Sequence, residues 1–113
     1  MTKFEFFDED GYPTDEALRM VEEWNITGFD NIPPLLELAR SLWRWPQFFF
    51  YEDGCWYVST GGWSGNEDVI AALKKNTMFW LLCWKQSTRG GHYVFDVSKC
   101  RDYYESIGGT QNE

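Results

Sequence analysis

The sequence predicts an α+β domain: a mainly antiparallel sheet of four to five strands with about three helices packed on one face, in the order (β)ααββαββ. Three observations carry this reading. Two runs with helical apolar spacing fill the N-terminal half, and an Asp53-Gly54 turn sits between aromatic, strand-like runs. A second glycine pair, Gly90-Gly91, separates two further apolar stretches. A chain of 113 residues, 43% hydrophobic, fits one compact domain with a real core.

Taken in order, "KFEFF" alternates weakly and predicts a short first strand, ended by the turn-forming "DEDGYP". Helix one starts at Thr14 as N-cap, with Asp15 and Glu16 in the first turn where acids suit the helix dipole. Ala17, Leu18, Val21 and Trp24 supply its apolar spacing. Asn31 or Asp30 caps a second helix that tolerates Pro33 and Pro34 in its first turn. "QFFFYEDGCWYVST" predicts a hairpin turning at Asp53-Gly54. A third helix spans about Gly65 to Lys75. "TMFWLLCW" and "HYVFDV" predict a second hairpin around "KQSTRGG". A short helical turn is expected at "RDYYES", and residues 108–113 read as a frayed tail.

Charge is unevenly spread. Residues 1–53 hold twelve acids against Lys3, Arg19, Arg40 and Arg44, while the remainder balances six with six, so the net −8 lies in the N-terminal half. Direct binding to nucleic acid, which needs clustered Lys and Arg, is not expected. An acidic face carrying Glu5, Asp8, Glu9, Asp10, Glu22 and Glu23 suits a basic partner instead. No run approaches the roughly 18 apolar residues that cross a bilayer, so no membrane association is expected. The opening "MTKFEFFDEDGYP" lacks the pattern of a secretory signal, and a cytoplasmic location is expected. Three cysteines, odd in number and widely spaced, indicate neither a disulfide framework nor a zinc site. No cofactor motif is present.

Aromatic residues make up 19% of the chain, with seven Trp, six Tyr and nine Phe. In strands, Phe48 and Phe50 would share one face and Phe49 and Tyr51 the other. Read as a strand, "TMFWLLCW" would put Met78, Trp80, Leu82 and Trp84 opposite Phe79, Leu81 and Cys83. Both sheet faces are then apolar, and three helices cover only one. The surplus rings are expected to meet a ligand or a second copy in a homo-oligomer; the alternative is that the N-terminal strand, loops and tail fold over the second face.

"STGGWSGNED", residues 59–68, admits two readings. In one, Ser64 and Glu67 form a capping box and Gly61-Gly62 merely turn the chain. In the other, free amides at the helix start suit a phosphate. Ser59, Thr60, Ser64 and Asn66 then add polar groups, and Trp56 and Trp63 offer flat faces. "KQSTRGGHYVF" adds Lys85, Arg89 and His92 at the mouth of the second hairpin. Convergence of the two loops would pair cations with indoles, a combination suited to a nucleotide.

"GCWYVS" and "GGHYVF" faintly resemble the Cys and His boxes of papain-like and ubiquitin-specific peptidases, which would make Cys55 and His92 a catalytic pair. Cys55 reads as a strand residue, however, away from the helix N-terminus that lowers a thiol pKa, and an enzyme is not expected. The block "TGGWSGNEDVIAALKKNTMFWLLCW…RGGHYVF", about residues 60–95, is similar to a stretch in small uncharacterised phage and prophage proteins. That resemblance implies a viral accessory protein in a bacterial cytoplasm and brings no site residues with it.

The expected function is non-enzymatic capture of a small phosphate-bearing ligand such as a nucleotide, in a counter-defence role. Trp56 and Trp63 would stack, Thr60, Ser64 and Asn66 would meet polar edges, and Lys85, Arg89 and His92 would meet phosphate. The alternative is an acidic inhibitor of a host nucleic-acid-binding or defence protein.

Overall fold

Helix α1 (Asp15–Glu22) begins where expected: Thr14 Oγ1 accepts a 3.1 Å hydrogen bond from the Ala17 amide. The computed structural model describes residues 5–98 and 101. Within them lie four helices and one four-stranded antiparallel sheet, an α+β architecture. The turn expected at "RDYYES", apart from Arg101, and the tail from residue 108 fall outside the described residues.

The first strand does not form among the described residues. Glu5 to Phe7 make only an isolated bridge, Phe7 with Pro13, because the Asp8 carboxylate accepts from the Asp10 and Tyr12 amides and curls the chain into a tight turn. Helix α2 (Ile32–Ser41) carries Pro33 and Pro34 in its first turn. Its start is not capped by a side chain: the Asn31 carboxamide oxygen instead accepts from the Thr27 amide and hydroxyl.

Strands β1 (Phe49–Glu52) and β2 (Cys55–Ser59) form the expected hairpin. Asp53 (φ 52°) and Gly54 (φ 84°) both take the left-handed conformation that a two-residue hairpin turn requires. Helix α3 (Ser64–Lys75) follows the glycine loop and packs on α1.

The largest departure from the sequence reading comes next. Thr77–Cys83 is a helix, α4, not a strand, and β3 (Trp84–Thr88) starts only at Trp84. Asn76 is the cause. Its side-chain oxygen caps α4 by accepting from the Phe79 amide, while its Nδ2 donates to the Val21 and Trp24 carbonyls. Burial then follows helical spacing: Phe79 and Cys83 are buried, whereas Met78 and Leu81 face solvent. Strand β4 (His92–Asp96) closes the second hairpin and lies between β2 and β3, giving the order β1-β2-β4-β3.

Phe49, Trp56, Val58 and Phe95 project from one side of the sheet into a single core with Leu35, Leu36, Val69, Leu73 and Phe79. The opposite side carries a row of cross-strand neighbours, Phe50, Tyr57, Val94 and Gln86. Phe50 and Tyr57 stack at 5.5 Å and stay exposed. Because α4 removes Met78 to Cys83 from the sheet and β3 is mostly polar, the second apolar face shrinks to this aromatic end.

Candidate functional site at the junction of the two glycine loops

Strand β2 ends at Ser59 and β4 begins at His92, and the two are cross-strand partners. Their side chains meet: Ser59 Oγ lies 2.7 Å from His92 Nδ1. One residue further on, the Thr60 amide donates to the Gly91 carbonyl at 2.9 Å. The loops after β2 and before β4 therefore converge. The closeness dictates glycine at 91, since a Cβ there would collide with Thr60 Oγ1.

A third segment joins them. Asn66, fully buried at the start of α3, accepts from the Arg44 amide at 2.8 Å and donates to the Arg44 and Thr60 carbonyls. It clamps the chain after α2 onto the glycine loop. The next residue, Trp45, is held in the left-handed region (φ 68°, ψ 63°), which costs a bulky residue roughly 1–2 kcal/mol. Pro46 behind it disfavours the right-handed helical alternative. The Trp45 ring lies over Gly61, where a Cβ would come within 2.8 Å of Cζ3. Backbone strain of this kind persists where the surroundings over-determine it, and it clusters at ligand sites.

Between these parts opens a pocket of about 390 Å³, lined by Trp45, Phe48, Ser59, Gly61, Gly90 and His92. Its walls are aromatic rings and glycine backbone, and the Ser59–His92 pair supplies the side-chain polar groups. Arg44 stands beside it, its guanidinium 4.5 Å from the Trp63 ring centre and 5.8 Å from that of Trp45. Arg89 is exposed next to Gly90.

The expected site residues divide sharply. His92 lines the pocket. Thr60 and Asn66 are wholly buried and act as framework. Trp56 lies in the core with 7% exposure and offers no free face to this pocket. Trp63 packs against Tyr12 at 4.9 Å, tilted by 35°, and lies against Gly65 in the first turn of α3. The expected capping box is absent: Trp63 occupies the cap position, Ser64 Oγ donates to Tyr12 Oη, and Glu67 Oε2 receives the Thr60 hydroxyl. Lys85 sits exposed at the irregular start of β3. Sequence reasoning missed Trp45 and Phe48, whose signal is the "WPQF" spacing: in a 3-10 turn, residues three apart project on the same side.

Cys55 and His92 are not brought together. They lie at opposite ends of the β2–β4 ladder, four residues and about 13 Å apart. Burial pushes the Cys55 thiol up, and the charges of Asp96 and Asp53 add to this against a lowering by Lys85. No group of three or more His, Cys, Asp or Glu able to hold a metal occurs among the described residues, and no helix there is long and apolar enough to cross a membrane. Comparison with known proteins gives no matching family model, curated protein or solved structure.

Proposed function

We propose that this is a non-enzymatic binding protein that captures a small, planar, phosphate-bearing ligand of the nucleotide class between its two glycine loops. One observation carries the reading: both loops and the strained Trp45 converge on one open pocket whose rings flank the exposed Ser59–His92 pair. A base would lie against Trp45 and Phe48, with its polar edge on Ser59 and His92. Arg44, next to Trp45 in the chain, and Arg89, next to Gly90, are both exposed and would neutralise the phosphate. The α3 N-terminus has no role in this reading; the Trp63 indole packs against Gly65 in its first turn. The volume stands near the low end of ligand pockets, about 300–1,000 Å³, and suits a mononucleotide better than a dinucleotide. The resemblance to phage proteins supports action in a bacterial host against a nucleotide signal. The exposed Phe50–Tyr57 row is where a second copy would join.

The test is tryptophan fluorescence titrated with nucleoside monophosphates, alongside native mass spectrometry for retained ligand. Stacking on an aromatic side chain is worth about 1–3 kcal/mol per base, so Trp45→Ala should weaken binding roughly tenfold or more. A protein that retains no nucleotide and gives no saturable response to any of them refutes the reading.

The acidic-inhibitor alternative keeps one observation in its favour. Glu5, Asp8, Glu9 and Asp10 are all exposed on a turn fixed by the Phe7–Pro13 bridge. Reversing these charges would abolish function under that reading, whereas Trp45→Ala would leave it intact.

A further inference from the structure

A second pocket, of about 240 Å³, lies between the start of α2 and the first hairpin. Trp56 and Val97 form its buried part, and Phe29, Pro33 and the exposed Tyr51 line the rest. Tyr51 leans on Trp56 at 5.6 Å and 59°, so the two rings meet as adjoining walls. Among the described residues no charged side chain lines the pocket. Acids flank the lining residues along the chain: Asp30 follows Phe29, Asp53 stands in the turn after Tyr51, and Glu37 stands one helical turn beyond Pro33. All three are exposed.

We propose that this pocket is an aromatic cage for a small molecule bearing a trimethylammonium group. Three aromatic rings line the space, Trp56 at its floor and Phe29 and Tyr51 nearer solvent; ring faces attract cations, and the neighbouring acids add long-range attraction. A lining almost without polar atoms disfavours a primary ammonium or guanidinium, whose N–H donors would go unpaired inside. A quaternary ammonium has no N–H donor to satisfy. The chain itself displays the attraction: the Arg101 guanidinium lies 5.8 Å over the Phe29 ring. A methylated peptide is the weaker candidate. Arg40 Nε already donates to the Phe49 carbonyl at 2.9 Å, occupying part of the β1 edge on which an extended peptide would pair.

The experiment titrates the full chain with choline and with 3,3-dimethylbutanol, its neutral isostere, by calorimetry and by ring-proton NMR shifts. A trimethyllysine peptide forms a third arm. Choline should bind about 30-fold more tightly than the isostere, a desolvated cation–π preference. Tyr51→Leu and Phe29→Leu, which keep apolar bulk, should each remove most of that preference, and Arg101→Ala should strengthen choline binding a few-fold. Trp45→Ala should leave it unchanged, which separates this site from the glycine-loop pocket. Isostere binding within twofold of choline, no saturable choline binding, or a peptide that outcompetes choline would each overturn the proposal.

Discussion

The two pockets use the same material, aromatic rings, but hold it by opposite means. At the glycine loops the rings are positioned by backbone: Asn66 fixes Arg44, Trp45 is forced into the left-handed region, and Gly61 leaves the ring room to lie flat. Beside α2 the rings are positioned by packing alone, with Trp56 wedged between Phe49 and Tyr51. The first arrangement is specific and fragile, because one lost hydrogen bond or added methyl group shifts a wall. The second is tolerant, since a ring held by neighbours keeps its place through small backbone adjustments. Selectivity by hydrogen bonding belongs to the first pocket, and selectivity by charge and shape to the second.

Breaking the Asn66 clamp tests this contrast most severely. Asn66→Ala removes the side-chain partner of the part-buried Arg44 amide and carbonyl and leaves the Thr60 carbonyl only its 3.3 Å bond from the Trp63 amide; an unpaired buried group costs about 1–3 kcal/mol. Urea denaturation should show a loss of about 2–4 kcal/mol, with nucleotide binding abolished and choline binding retained in the folded fraction. A loss under about 0.5 kcal/mol, the range of ordinary surface substitutions, would show that the clamp is dispensable.

Gly61→Ala is the next largest. It places a methyl group against the Trp45 ring at a residue with φ 64°, and should cost about 1–2 kcal/mol while weakening the first pocket only. Equal damage to both sites would mean that they are coupled through the sheet.

The smallest effect concerns Cys55. Its thiol is raised by burial and by Asp96, so the folded state holds this proton more firmly than the unfolded chain. Stability from this source is complete below the ordinary thiol value and is lost as pH rises through the higher folded value. Alkylation at neutral pH should be slower than for a free thiol, and Cys55→Ser should flatten the alkaline fall in melting temperature. Fast alkylation at neutral pH would show that the thiol is not protected as its burial implies.

How much was legible in the chain depends on where the deciding contact lay. The first hairpin and α1 were readable because Asp53-Gly54 and Thr14 act within a few residues of themselves. The run at 77–83 was not, because a short apolar stretch suits helix and strand alike. What decides it is Asn76, held by the Val21 and Trp24 carbonyls more than fifty residues earlier in the chain. The capping-box pattern misled for a related reason: Tyr12, from a distant turn, claims the Ser64 hydroxyl. Convergence of the glycine loops followed from two hairpins sharing a sheet, so His92 could be anticipated. Trp45 and Phe48 carried only the short "WPQF" spacing, which does not reveal that Asn66 reaches back across twenty-two positions to Arg44 and sets both beside the loops.

Asn76 also sets a limit on how this protein can age. Hydrolysis of its side-chain amide, with water entering and ammonia leaving, would exchange the Nδ2 donor for an oxygen pointed at two carbonyl oxygens in a buried setting. The seam joining α1, α3 and α4 would then carry a misplaced negative charge. A single spontaneous chemical event at this amide would be enough to loosen three helices together.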